Sequence, residues 1–233
     1  MNKKFFSVLF IAVLTASYVQ AQFTFGARAG LNLTNVSVKY EGKEYEASKP
    51  KYKPSFQIGV VGEYGISDNF AIQPGILFAT QGYKLGPREF IMDDMLGWEV
   101  MATVNINYLQ IPINAQYKIN LGSSAFLLQA GPYFGFAFGG KTKTEFSLNN
   151  IPSSKEKTDL VFGNKEDQLS PFDFGLGLGI GLQLNAIQIG LKYHLGLADL
   201  YHNERMTAYL FHIEKLKMNN RGFSITVTYF FSK

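Results

Sequence analysis

The chain of 233 residues contains no cysteine. This excludes a disulfide framework, a thiol nucleophile, a cysteine-ligated metal and a lipid anchor on cysteine. Charge is scarce too: Asp, Glu, Lys and Arg make up 17% of the chain, against about a quarter in a soluble globular protein. Much of the surface is therefore expected not to face water. Removing Lys3 and Lys4 of the N-terminal segment from the net charge of +4 leaves about +2, too small an excess to indicate nucleic acid as a partner. Tryptophan occurs once, whereas Phe and Tyr number 21 and 13.

Residues 1–21 read as a cleaved secretory signal peptide: a basic start, an apolar stretch from Phe5 to Leu14, and small or polar residues ending at Ala21. The alternative, an uncleaved anchor, meets an apolar stretch about half as long as the ~20 residues a spanning helix needs. Residues 22–233 form one domain.

That domain alternates with a period of two. From Gln22 to Asn32 one face carries Phe23, Phe25, Ala27, Ala29 and Leu31, and the other Thr24, Gly26, Arg28, Gly30 and Asn32. From Pro171 to Leu184, Phe172, Phe174, Leu176, Leu178, Ile180, Leu182 and Leu184 alternate with Asp173, four glycines and Gln183. Its regular glycines weigh against a membrane helix with GxxxG pairs and match no dinucleotide loop. Further strands are expected near 54–66, 70–83, 105–119, 125–139, 187–195 and 221–231. Most reach the ~9–11 residues that a tilted strand needs to cross a bilayer. Short connections (67–69, 120–124, 185–186) alternate with long polar ones (34–53, 84–104, 140–170, 196–220).

The expected fold is therefore all-β, an eight-stranded antiparallel up-and-down transmembrane β-barrel in the outer membrane of a Gram-negative bacterium. A lipocalin-like soluble barrel would need a polar exterior, yet here the polar face is rich in glycine and small residues, which suit a narrow lumen. Aromatics fall near both strand ends: Phe23, Phe70, Phe126, Tyr229 and Phe231 on the short-turn side, Phe56, Phe138, Phe172, Tyr193 and Phe223 on the loop side. Pro74, Pro112 and Pro132 lie inside expected strands, where bulges are expected.

The segments Tyr108-Leu109-Gln110-Ile111-Pro112-Ile113, Ala130-Gly131-Pro132-Tyr133-Phe134-Gly135, Phe172-Asp173-Phe174-Gly175-Leu176-Gly177 and Thr226 to Phe231 resemble the PorT-like outer-membrane β-barrel family of Bacteroidetes. Gln73-Pro74-Gly75-Ile76-Leu77-Phe78, followed by Gln81-Gly82, is similar to that family's third strand. The resemblance implies an eight-stranded barrel in which strand prolines are habitual. The family's namesake is an accessory of a gliding-associated secretion system. Ser232-Lys233, beyond the terminal aromatic, departs from the pattern.

By parity the lumen receives Arg28, Gln57, Glu63, Gln73, Gln81, Gln110, Asn114, Gln116, Lys118, Gln129, Asp173, Gln183, Gln188, Lys192 and His194. Eight strands leave an interior just wide enough for side chains to fill. A packed polar network through Arg28, Glu63, Gln129, Asp173, Lys192 and His194 is expected rather than an open channel.

Asp173, His194 and Ser224, one on each of the last three strands, form the one candidate acid, base and nucleophile set. A polar lumen offers no slot for an acyl chain, so the expectation is a non-enzymatic barrel without cofactor or metal. His202, His212, Glu204 and Glu214 match no compact metal spacing. The stretch 203–217 is compatible with a short amphipathic helix. Three function classes follow: an envelope or recognition barrel working through its outer loops, a secretion accessory, and a lipid-modifying enzyme. The first is the primary reading, for a monomer in contact with outer-membrane lipid, lipopolysaccharide and, through its loops, envelope or secretion proteins.

Overall fold

The computed structural model describes residues 23–40, 43–44, 50–92, 96–148, 151–163, 165, 168–201 and 216–231. The leader, His202, Glu204, His212, Glu214, the segment 203–217 up to Glu214 and the Ser232-Lys233 tail lie outside them.

Alternation in the sequence becomes alternation in space. In β8 (Phe172–Leu184) every second side chain is exposed while Asp173 and Gln183 are buried. The strands are β1 (Phe23–Tyr40), β2 (Lys43–Glu44), β3 (Lys53–Ser67), β4 (Phe70–Met92), β5 (Leu96–Leu121), β6 (Ser124–Leu148), β7 (Ile151–Asp159), β8, β9 (Ile187–Gly196) and β10 (Leu216–Phe230). All but β2 and β7 form an antiparallel ring of eight, closed where β10 pairs with β1 from Gly26↔Phe230 to Tyr40↔Leu216. Closure removes every edge from the ring.

At one end the hairpins are tight. Asn185 at φ 52° and Gly122 at φ 75° start two of these turns, and Asn and Gly are the residues that enter the left-handed region at least cost. The other end departs from expectation. Much of what reads as long polar loop is strand: β4, β5 and β6 run 23, 26 and 25 residues, more than twice the ~9–11 that cross a bilayer. Beyond the barrel wall they continue as a sheet to which β7 is added, pairing β6 from Lys141↔Asp159 to Leu148↔Ile151. Lys141, Lys143, Lys155 and Lys157 thus stand on strands rather than in a loop.

The prolines also behave differently from expectation. Pairing lapses beside Pro74, Pro112 and Pro132, but the offset is unchanged across each gap: Val61↔Gly75 and Tyr64↔Ile72, Pro74↔Ile113 and Leu77↔Gln110, Pro112↔Tyr133 and Ala115↔Ala130. A proline withdraws a donor without inserting a residue, so the ladder opens locally and keeps register. True register shifts lie at Gly65/Ser67, Leu85/Arg88, Asn107/Tyr108 and Phe146/Ser147.

The exterior is apolar, with Leu31, Ile58, Ile76, Leu178 and Ile225 each more than half exposed. Rings band its loop side: Phe56 to Phe78 at 5.6 Å, Phe78 to Phe138 at 5.9 Å, Phe136 to Phe172 at 5.3 Å and Tyr193 to Phe223 at 4.9 Å. On the turn side Tyr229 meets Phe231 at 5.9 Å. An apolar wall between two aromatic bands is the outer surface a transmembrane barrel presents.

Candidate functional site

The lumen is the place where chemistry is concentrated, and it is built in layers. Nearest the tight turns, Lys118 forms an ion pair with Glu63. Above it Arg28, 3% exposed, donates to Thr228 Oγ1 at 2.8 Å, to Gln73 Oε1, and to Gln188 Oε1 at 3.3 Å. Gln73 Nε2 donates to Gln188 Oε1 at 3.1 Å and to Glu63 Oε2 at 3.4 Å, and Gln188 Nε2 donates to Gln116 Oε1 at 3.3 Å. Arg28 and Glu63 are therefore joined through the Gln73 amide, which accepts from the cation and donates to the anion. Such relays let buried charges stay solvated by the protein.

The next layer holds Lys192, His194 and Ser224. The inward glycines of β8 make room for it: a Cβ at Gly179 would stand 2.5 Å from Lys192 Cγ, and one at Gly175 would stand 2.7 Å from the Tyr133 ring. His194 Nε2 and Ser224 Oγ are 3.0 Å apart, and the Tyr133 ring meets His194 edge-on at 5.8 Å. Above, Asp173 Oδ2 accepts from Asn220 Nδ2 at 2.9 Å and from Tyr133 OH at 3.3 Å, and Asn220 also donates to Tyr108 OH at 3.3 Å.

Two expectations change on this geometry. The Asp173, His194 and Ser224 set does not assemble: His194 and Ser224 meet, but Asp173 bonds Asn220 and Tyr133, and His194 Nδ1 is buried with no partner. Parity puts all three inside, but register sets their heights. Gly177 is paired with His194, so Asp173 lies four residues further along its strand, about 13 Å at 3.3 Å per residue. Without a carboxylate on Nδ1, the imidazole is not oriented as a general base.

The single polar network through Arg28, Glu63, Gln129, Asp173, Lys192 and His194 is divided instead. Arg28 and Glu63 share one relay, Asp173 belongs to a second set, and His194 to a third. Gln129 Oε1 has no partner, and the Lys192 ammonium makes no hydrogen bond or ion pair among the described residues, although it is 5% exposed. A buried cation without an acceptor costs stability. Lys192→Met is therefore expected to raise stability by about 1–3 kcal/mol, read as a higher urea midpoint of the refolded barrel.

The lumen is also less polar than expected at its loop end. Val36, Tyr83, Val104, Ile106, Tyr108, Leu169, Leu200 and Met218 form a buried apolar cluster across it. Residues from the connections supply part of this plug: Leu169 bridges Tyr201, Ser170 N donates to Leu200 O at 2.9 Å, and Leu200 N to Met218 O at 2.8 Å. Among the described residues, the polar layers hold a space of about 20 Å³ beside Asn32, His194 and Asn220, and one of about 10 Å³ beside Arg28, Asn114 and Lys192. Each is on the scale of about one water.

Sequence reasoning put Gln73, Gln116 and Gln188 on the inner face without seeing them as a relay, because a neutral amide carries no charge to pair. Tyr108, Tyr133 and Asn220 were missed: the tyrosines have the right parity but look like wall residues, and Asn220 falls in a stretch that reads as loop. Outside the barrel wall, Glu145 accepts from Lys143 at 2.8 Å and from Lys155 at 3.3 Å, and these bonds hold its carboxyl below the usual range.

The profile of the family described as "Outer membrane protein beta-barrel domain" matches residues 18–202. No curated protein matches the chain. Among solved structures, OprG from Pseudomonas aeruginosa is 13% identical over 91% of this chain and 96% of that one, with a TM-score of 0.41. The attachment invasion locus protein Ail of Yersinia pestis is 13% identical over 90% and 99%, at 0.37, and Neisserial surface protein A is 10% identical over 88% and 96%, at 0.35.

Proposed function

From a chain that belongs to the outer membrane protein β-barrel domain family, and is thus an outer-membrane β-barrel protein, we infer a non-catalytic role in envelope structure or partner recognition, exercised by the surface beyond the loop-end aromatic band. The closed lumen carries this reading. The spaces among the described residues of its polar layers are about 20 and 10 Å³, and the apolar cluster around Tyr108 and Leu200 stops the loop end. Among the described residues these spaces are too small to pass a solute or seat an acyl chain within the lumen, while β4 to β7 build a large structured surface outside the wall. The protein acts as a monomer after signal-peptide cleavage before Gln22, with outer-membrane lipid around its wall.

Two measurements test the reading. In planar bilayers the refolded protein is expected to be silent; stepwise conductance would contradict a closed lumen. Ser224→Ala and His194→Ala are each expected to leave lipid A and phospholipid profiles unchanged, and a shift in either profile would instead make the barrel an enzyme.

A second reading, a PorT-like accessory of protein secretion, is favoured by the motifs at Tyr108–Ile113 and Phe172–Gly177 and by β7. Among the described residues this strand pairs with β6 alone, so that its other edge offers backbone groups to an added strand. Deletion of the gene, with assay of secreted cargo and gliding, decides it: an unchanged secretome removes this role.

A further inference from the structure

The outward face of the extended sheet carries a row of lysines that the barrel itself does not require. Lys51 is paired with Lys84, Lys84 with Thr103, Thr103 with Lys143, and Lys143 with Lys157. Residues directly opposite on neighbouring strands project from the same face with Cβ atoms about 5 Å apart. Four lysines therefore line up across five adjacent segments, over about 19 Å at the 4.8 Å strand spacing. The row is made by a bulge. Up to Phe138 the even residues of β6 face outward, and the shift at Asn107/Tyr108 makes Phe138 the extra residue, after which Lys141 and Lys143 face outward.

Like charges directly opposite each other are unfavourable, and this row contains two such pairs, Lys51 with Lys84 and Lys143 with Lys157. Little acidic compensation is at hand. Glu145 serves Lys143 and Lys155 together, Asp159 lies 3.5 Å from Lys141, and Lys51, Lys84 and Lys157 have no ion pair among the described residues. An arrangement that is self-repulsive in isolation is relieved by a polyanion laid along it.

The height of the row selects which polyanion. Lys51 is five residues from Phe56, Lys84 six from Phe78 and Lys143 five from Phe138, and these rings form the loop-side band. With the usual strand rise and tilt, the row stands roughly 13–15 Å beyond the band. The headgroup zone of an ordinary bilayer reaches only about 5–8 Å past the hydrocarbon. Phosphates of a glycerophospholipid lie too low, whereas a glycolipid with phosphorylated sugars carries its anions further out.

We propose that Lys51, Lys84, Lys143 and Lys157 form a binding site for the phosphorylated sugars of an outer-leaflet glycolipid. The proposal deepens the reading of the loop-end surface as the working face and rests on it.

The test uses the full mature chain refolded in detergent and titrated with rough-type lipopolysaccharide by calorimetry at two salt concentrations. Tight, salt-sensitive binding is expected. Lys51→Gln, Lys84→Gln, Lys143→Gln and Lys157→Gln combined should weaken it at least tenfold and flatten the salt dependence, while four Lys→Arg changes should preserve it. Enzymatically dephosphorylated lipopolysaccharide should bind the native chain as weakly as intact lipopolysaccharide binds the Gln variant, and phosphatidylglycerol micelles should not substitute. Retention of the heat-dependent gel shift shows that the variants are folded. Equal affinity of the Gln variant and the native chain overturns the proposal. So does tighter binding of a soluble sulfated polysaccharide than of lipopolysaccharide, which would leave a recognition role in place with a different ligand.

Discussion

Arg28→Met is expected to cost about 3–5 kcal/mol of stability, the scale seen when one member of a buried charge set is removed. The guanidinium holds Thr228, Gln73 and Gln188 together across strands far apart in sequence. A methionine fills the space but leaves Gln73 Oε1 without its donor and Gln188 Oε1 with Gln73 Nε2 alone, while Glu63 keeps its ion pair with Lys118. The measurement is urea unfolding of the barrel in lipid vesicles, with a fall in midpoint expected. Adding Glu63→Gln to Arg28→Met should lower the midpoint further, because Lys118 then loses its ion-pair partner. A midpoint unchanged by Arg28→Met would mean that the relay is ornamental.

Gly131→Val is expected to block assembly of the wall. A Cβ at Gly131 would stand 1.9 Å from Ile113 O and 2.9 Å from Asn114 Cα, both backbone atoms. This is where the β5–β6 ladder lapses beside Pro132, and two strands approach more closely than a side chain allows. Relief requires the strands to part, at about 3 kcal/mol or more. The readout is the fraction of chains that acquire the heat-modifiable form on refolding, expected to fall at least tenfold. Gly139→Val on the same strand is the contrast, since its Cβ would meet only Asn107 Nδ2 at 3.9 Å; it should refold normally.

The membrane wall was legible in the sequence because lipid outside and a narrow polar lumen inside impose opposite demands on successive residues. Phe172 to Leu184 obeys both demands along its whole length. Legibility ends where either demand is lifted. In β1, Thr34, Asn35, Val36 and Ser37 are all buried, so the alternation that marks Phe23 to Asn32 disappears although the strand continues to Tyr40. Just beyond the aromatic band in β4, Tyr83 faces the plug and Lys84 faces water, and polar residues there read as loop.

The candidate site was legible by face and not by height. Parity placed Asp173, His194 and Ser224 in the lumen, but their relative levels follow from how β8, β9 and β10 are staggered, and stagger leaves no mark on a single strand. The apolar plug escaped for a related reason. Leu169 and Leu200 come from irregular segments, whose inward turn depends on the mouth they cover.

The seam between β1 and β10 joins the two ends of the chain. Its partners, from Gly26 with Phe230 to Tyr40 with Leu216, are about as far apart in sequence as two strands of this protein can be. Contacts of such separation form late and slowly. Until the last strand has been synthesised and exported, β1 has only β3 beside it along the wall, and one long edge is open to any passing strand. The ring therefore cannot close before the last strand is present, and exposure to aggregation lasts until the final residues arrive.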